Sequence, residues 1–270
     1  MSLNADVIVV GGGIVGASFA LQLAASDLQV VVIDRNSPAA TPLDGDFDHR
    51  VYALTPANMA LLESLDLFQP QDRARLTPIR AMEIFGDKRA TLAFSAREIN
   101  RNELAVMIEH GLLAKRLSDK LHSAGHVQCF DQSVPKSLSI GADGVSLELE
   151  DETKITAALV VGADGAKSWV RDESGFSASE KDYEQIALVA NFRCEKNHGR
   201  VARQWFADGG ILAWLPLGEN IISIVWSLPA ARAAELYALS VEKFYCDVAV
   251  GGTNPLGVMY LLSAVARFPL

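Results

Sequence analysis

The sequence predicts an α/β protein in which a Rossmann-like dinucleotide-binding domain is interleaved with an antiparallel-sheet domain. Three observations carry that expectation. The uncharged run Val7–Val10 leads into Gly11, Gly13 and Gly16, spaced as G-x-G-x-x-G. An apolar run over residues 29–33 ends in Asp34, eighteen residues beyond Gly16. The second half of the chain holds four consecutive β-type runs, at 183–193, 201–206, 211–217 and 221–228. Consecutive runs of that kind make an antiparallel sheet, not a continuation of βαβ units.

The first thirty-five residues carry the strongest signal. A short β-branched run is the composition of a strand buried on both faces. Gly11 then permits a tight turn, Gly13 lets backbone approach a pyrophosphate, and Gly16 lets the next helix pack against the strand. That helix is expected from Ile14 to about Ser26. The free N–H groups of Ile14 and Val15 and the positive end of the helix dipole would face the phosphates. Asp34 is placed to accept hydrogen bonds from a ribose, and Arg35 beside it leaves a 2′-phosphate reader open. Strand, triplet, helix, second strand and acid stand in register, which separates this stretch from an ordinary glycine-rich turn.

A chain of 270 residues can bury a sizeable core. The net charge of −9, without a local cluster of Lys and Arg, argues against nucleic-acid binding. Cys129, Cys194 and Cys246 are too far apart for a C-x-x-C pair. Unpaired buried thiols in a reducing compartment are therefore expected, with no disulfide framework and no metal site. Residues 7–25 carry no charge, yet Asp6 precedes them and the glycines sit at phosphate-loop spacing. The βα reading explains those glycines and a membrane span does not, so a cytoplasmic location is expected.

Further along, residues 36–48 read as a surface loop. Thr55 is placed to cap a helix over 56–65 with proline at its first position. Arg50, just ahead of it, is either a solvated loop cation or a residue of the nucleotide crevice. Residues 80–85 and 91–94 read as strands around the Gly86-Asp87-Lys88-Arg89 turn. Leu104, Met107, Ile108, Gly111, Ala114, Leu117 and Leu121 recur at helical spacing and predict one long amphipathic helix. His110 and His122 are expected to be solvated. Short β runs follow at 127–130, 134–140, 145–149 and 155–161, with Asp143-Gly144 as a hairpin turn. Asp164-Gly165, after the last of them, is locally either a turn with a helix cap or a contact to a second part of an extended nucleotide. Helices are expected over 230–238 and 241–250.

Three pieces coincide: the glycine triplet with its terminal acid, Asp48-x-Arg50 before a helix, and Gly162-Ala-Asp164-Gly165-x-x-Ser168-x-x-Arg171. Together they resemble the class A flavin monooxygenases of the p-hydroxybenzoate hydroxylase fold. Asp48-x-Arg50-x-x-Ala53-Leu54, Tyr183-x-Gln185-x-Ala187, Leu215-Pro216-Leu217 and Ser223-Ile-Val-Trp226-Ser227 look like the ubiquinone-biosynthesis hydroxylase branch. The resemblance implies a glutathione-reductase-type FAD domain at 1–75 and 97–178, and a substrate-side sheet at 76–96 and 179–270. It implies FAD as the cofactor and NAD(P)H as transient electron donor. Gly11, Gly13, Ile14, Val15 and Gly16 would hold the pyrophosphate, Asp34 and Arg35 the adenosine side, and Val134 the adenine. Arg50 would neutralise FAD phosphate or lie along the cofactor channel, and Asp164 with Gly165 would contact FAD.

In this family the reduced flavin activates oxygen and delivers one atom to an electron-rich aromatic ring. The protein binds, orients and excludes water, and no catalytic base can be picked from the residues. The implied substrate is a small aromatic or prenylated phenol, with room for peripheral membrane or multi-enzyme association. The chain differs from its relatives at Gly111. It also stops at Arg267-Phe-Pro-Leu270, where the family continues into a Gly-Asp motif and a His-Pro segment that bind the flavin. A truncated chain, holding ADP-like ligands weakly and prone to self-association, is expected on that ground. Two rivals remain: a flavoprotein of the same fold with other chemistry (a reductase, halogenase or amine oxidase), and a non-catalytic nucleotide-binding fragment. An NAD-dependent dehydrogenase fits the β-rich second half poorly.

Overall fold

A computed structural model describes residues 2–37, 47–86, 90–207, 209–253 and 255–270. Most of the loop expected at 36–48, and residues 87–89 of the expected turn, lie outside the described residues. Two compact units alternate along the chain. One comprises Met1–Pro42, Leu62–Phe68 and Gly111–Glu180, the other Leu43–Leu61, Gln69–His110 and Lys181–Leu270.

The first unit is built on a parallel sheet with strand order Leu159–Gly162, Val7–Val10, Val30–Ile33, Val127–Phe130. Val7–Val10 and Val30–Ile33 are buried at every position, as strands covered on both faces must be. The helix Ile14–Ala24 joins them in a βαβ unit. Ile8, Val10, Val31 and Ile33 pack against Leu147, Leu149 and Ile155 of a second, mostly antiparallel sheet. That sheet is made by Pro135–Gly141, Gly144–Leu149 and Lys154–Ala157, with Ser2–Asn4 added in parallel at its edge. Asp143-Gly144 closes the first hairpin as expected, with Gly141 opposite Gly144.

The second unit carries a sheet whose antiparallel centre is Gln185–Cys194, Ile221–Pro229, Gly210–Leu217 and Val201–Ala207. The hairpin Ala81–Phe85/Thr91–Ser95 extends it, Ala81–Phe85 running parallel to Val201–Ala207. Met259–Leu261 and Ala266–Pro269 share the other edge. Leu188, Phe192, Trp214 and Ile224 form the core with Ala233, Leu236, Phe244 and Val248 from the helices Ala230–Tyr237 and Val241–Gly251. On the opposite face Met82, Ala202 and Leu215 cluster with Ile79 and Met107. Those two belong to a small sheet of Val51–Leu54, Ala105–Glu109 and Thr77–Ile79.

Three expectations are corrected. The long helix over 104–121 is instead the strand Ala105–Glu109 followed by the helix His110–Ser123. Val106, Met107, Ile108 and Glu109 are all buried, so the first third of that stretch has no solvent face for a helix to present. Its apolar spacing imitates a helical period only because a fully apolar run matches any period. The run at 155–161 divides at Ala158, whose N–H donates to Asp6 O at 3.2 Å, and its halves enter different sheets. The loop ahead of Thr55 contains the strand Val51–Leu54. Among the cysteines, Cys194 is buried and Cys129 half-buried, but Cys246 is exposed.

Candidate functional site

The C-terminal ends of Val7–Val10, Val30–Ile33 and Leu159–Gly162 open onto a cleft of about 340 Å3 in the first unit. In a parallel sheet this end, where the strand order reverses, is where backbone turns leave room for a ligand. Gly11, Gly13, Asp34, Arg35, Val134, Asp164 and Gly165 all line it. The structure thus gathers seven of the residues singled out above from three distant stretches of chain.

The glycines divide into two kinds. Gly11 has φ +105°, and a Cβ there would lie 2.3 Å from Ala163 O. A Cβ on Gly16 would lie 1.8 Å from Gly11 O. Both are steric necessities of the turn and of close helix packing. A Cβ on Gly13 would meet nothing within 4 Å among the described residues, so nothing in their packing uses its bareness. Gly13 caps the helix Ile14–Ala24 without a side-chain hydrogen bond, and the first turn carries no acid. Among the described residues no side chain bonds the N–H groups of Ile14 and Val15.

Asp34 is more engaged than its position at a strand end suggests. Its Oδ2 accepts the Gly12 N–H at 2.6 Å, and its Oδ1 accepts the Asn36 N–H and Nδ2 at 2.7 and 3.0 Å. Asp164 is likewise held, accepting from Ser168 Oγ at 2.5 Å and from the Trp169 and Val170 N–H groups at 2.6 and 3.2 Å. It therefore shares the capping of the helix Trp169–Glu173 with Ser168, the N-cap residue, whose Oγ accepts the Arg171 N–H at 3.1 Å. Gly165 follows at φ +91°, with open space where a Cβ would be. Val134 gives its carbonyl to the Glu150 N–H at 3.0 Å, while its own N–H has no partner among the described residues. Arg35 is joined at the rim by Lys167, and neither has an ion-pair partner among the described residues. Lys167, Ser133 and Trp169 line the cleft without having been singled out. Lys167 and Trp169 sit within the quoted Gly162–Arg171 motif, where the one available signal was their nearness to Asp164.

Arg50 does not line this cleft. It belongs to the second unit, where its N–H donates to Asp48 Oδ1 at 3.0 Å and its guanidinium lies 5.8 Å from the Tyr52 ring. Tyr52 Oη and His110 Nδ1 are 3.0 Å apart. His110 is therefore half-buried and bonded, not solvated, because it begins its helix directly off a buried strand. Burial, and secondarily Arg50, lower its pKa, against a smaller opposing effect of Asp48. His122 is exposed and bonded to Asp131, which raises its pKa. Behind His110, Glu109 receives Arg75 at 2.5 and 2.7 Å and the Asp48 N–H at 2.7 Å. Among the described residues no three His, Cys, Asp or Glu side chains are grouped to hold a metal ion. No helix among them is long and apolar enough to cross a membrane.

Residues 4–235 match the family model described as FAD binding domain. The chain is 32% identical over 265 residues to 3-demethoxyubiquinol 3-hydroxylase of Escherichia coli, covering 98% of this chain and 68% of that protein. It is 26% identical to the ubiquinone hydroxylase UbiM of Neisseria meningitidis, covering 100% of this chain and 59% of that one. Against UbiL of Rhodospirillum rubrum the figures are 30%, 94% and 60%. The chain thus spans 59–68% of the length of these relatives. Among solved structures, pqsL, a probable FAD-dependent monooxygenase of Pseudomonas aeruginosa, superposes with a TM-score of 0.78 at 20% identity, over 99% of this chain and 73% of that one. The flavin-dependent halogenase CmlS gives 0.74 at 18%, over 98% and 50%.

Proposed function

The chain belongs to the FAD-binding domain family of the class A flavoprotein monooxygenases, and from that premise we propose that its cleft holds the adenosine and pyrophosphate of FAD in an aromatic-ring hydroxylase. The observation that carries the reading is the contrast at the glycine turn. Gly11 and Gly16 are bare because the fold demands it, whereas Gly13 is bare toward open cleft. A pyrophosphate uses that space, seated against the uncapped N–H groups of Ile14 and Val15. Arg35 and Lys167 at the rim supply positive charge for it.

The other half of the nucleotide has matching partners. Asp34 Oδ2 accepts one bond and keeps capacity for a ribose hydroxyl, while Oδ1, which accepts two from Asn36, takes another only by displacing the Asn36 side-chain amide. The unpaired Val134 N–H suits an adenine ring nitrogen. Asp164 acts by holding Gly165 and the start of the Trp169–Glu173 helix at the cleft, so its contribution is chiefly to shape. Bound FAD supplies the redox and oxygen chemistry; the protein's residues bind, orient and keep water out.

That the named relatives are ubiquinone hydroxylases supports a prenylated phenol as the substrate class, and the family resemblance supports NAD(P)H as reductant. The halogenase likeness shows the fold alone and gives no weight to halogenation. Titration of the chain with FAD, followed by flavin absorbance and fluorescence quenching, tests the cofactor reading. NAD(P)H oxidation stimulated by a prenylated phenol, with the hydroxylated product identified by mass spectrometry, tests the reaction. FAD binding without phenol-dependent oxidation would leave a flavoprotein and remove the hydroxylase.

A further inference from the structure

The large sheet of the second unit ends, among the described residues, at Thr91–Ser95. This edge strand has none of the usual guards within it: Thr-Leu-Ala-Phe-Ser carries no charge and no proline. Its side chains are mostly in water, with Leu92 52% and Phe94 46% exposed. These two share a face with Met82 and Ile84, opposite which they pair, and on that face Phe206 is a further 42% exposed.

The phase of the ladder decides what the open edge offers. The flanking bonds, Ala96 N–H to Arg80 O at 2.9 Å and Gly86 N–H to Ala90 O at 2.8 Å, continue the register that pairs Met82 with Phe94 and Ile84 with Leu92. In an antiparallel pair hydrogen-bonded positions alternate, so Leu92 and Phe94 bond inward to Ala81–Phe85. Thr91, Ala93 and Ser95 then direct their N–H and C=O groups outward. Of these, the Ser95 N–H is taken by Glu98 Oε2 at 3.2 Å.

We propose that this edge pairs with the same edge of a second copy of the chain, antiparallel about a two-fold axis at Ala93. The strand reads hydroxyl–apolar–alanine–apolar–hydroxyl from either end, so it is complementary to itself, as an isologous contact requires. Ala93 exchanges two hydrogen bonds with its counterpart, and each Thr91 N–H donates to the Ser95 carbonyl of the other copy. Leu92 then faces Phe94 of the other copy at the narrow pairs, where cross-strand side chains approach closest. The surface is small, so the dimer is weak and concentration-dependent.

Sedimentation velocity from low to high micromolar concentration, with hydrogen exchange by mass spectrometry at both ends of the range, tests this. The expected result is a monomer–dimer equilibrium with the amides of Thr91 and Ala93 protected only at high concentration. Ala93→Pro removes an N–H that has no partner among the described residues, and is expected to weaken the dimer at least about tenfold. Leu92→Lys, which touches no backbone bond, provides the same test should the proline disturb the sheet. A monomer at every concentration overturns the proposal. So does a dimer unchanged by both substitutions, or one whose protection lies elsewhere.

Discussion

Asp34 Oδ2 accepts the backbone N–H of Gly12 at 2.6 Å, so the acid at the end of one strand fixes the glycine turn at the end of its neighbour. Binding and folding are therefore linked at this carboxylate. Asp34→Ala is expected to weaken ADP and FAD binding by roughly 1.5–3 kcal/mol for each charge-assisted bond lost. It should also destabilise the chain by about 1–3 kcal/mol, since Gly12 and Asn36 lose their acceptor. Calorimetry with ADP and a urea melt check the two effects; an unchanged melt would show the turn to be held without the acid.

The glycine turn allows the two effects to be separated. Gly11→Ala combines a left-handed backbone with a 2.3 Å approach to Ala163 O, and is expected to cost more than about 3 kcal/mol of stability. Gly13→Ala meets no atom of the described residues and should melt like the parent, while excluding the pyrophosphate and losing FAD affinity. A Gly13→Ala protein that still binds FAD tightly would remove the pyrophosphate from that place.

Acid sensitivity should come in part from His198. It is 2% exposed, with Nε2 3.0 Å from Gly218 O and Nδ1 accepting the Arg200 N–H at 3.0 Å. Burial lowers its pKa, so below about 6.5 the unfolded chain takes up a proton that the folded chain refuses. Its contribution is complete above that pH and falls as pH drops; His110 acts in the same direction. His122, raised by Asp131, acts oppositely, its contribution fading as pH rises, but it is exposed and screened. Urea melts at mildly acidic and neutral pH should show a slope that His198→Gln flattens. An identical slope in the variant would assign the acid sensitivity elsewhere.

The Arg75–Glu109 pair should behave as a buried ion pair. Glu109 is almost wholly covered and Arg75 stacks 4.7 Å from the Phe47 ring. Arg75→Ala leaves the carboxylate uncompensated and is expected to cost about 3–5 kcal/mol, whereas an Arg75→Met/Glu109→Leu double variant should recover most of it. Thermal melts of both decide the matter: equal losses in the two would place the cost outside the Glu109 pair.

The glycine turn and the acid at Asp34 are legible in the sequence because those parts are local. A glycine triplet, a β-branched strand and an acid at a fixed offset are constrained by turn sterics within a few residues of each other. Val7–Val10 and the helix from Ile14 followed directly from that. The stretch at 104–121 was misread because periodicity cannot distinguish a strand buried on both faces from the start of an apolar helix face. Only the flanking strands Val51–Leu54 and Thr77–Ile79, distant in sequence, make Ala105–Glu109 a central strand.

By itself, the sequence determined the βαβ start, the hairpin at Asp143-Gly144, the antiparallel run from 185 to 229 and the family. The first two and the individual strands of the third rest on near neighbours or obligatory motifs, but the pairing of Gln185–Cys194 with Ile221–Pro229, across the two strands between them, is tertiary. The tertiary structure alone decided which glycine is bare for the fold and which for the cleft, because that depends on Ala163, about 150 residues away. It decided likewise that Asp34 and Asp164 are already bonded, that His110 is paired with Tyr52, and that Arg50 lies in the other unit. Burial and hydrogen-bond satisfaction depend on what packs around a residue: Gly12 comes to Asp34 and Tyr52 to His110 from elsewhere in the chain, and the near partners of Asp164 reach it only in the turn the fold imposes.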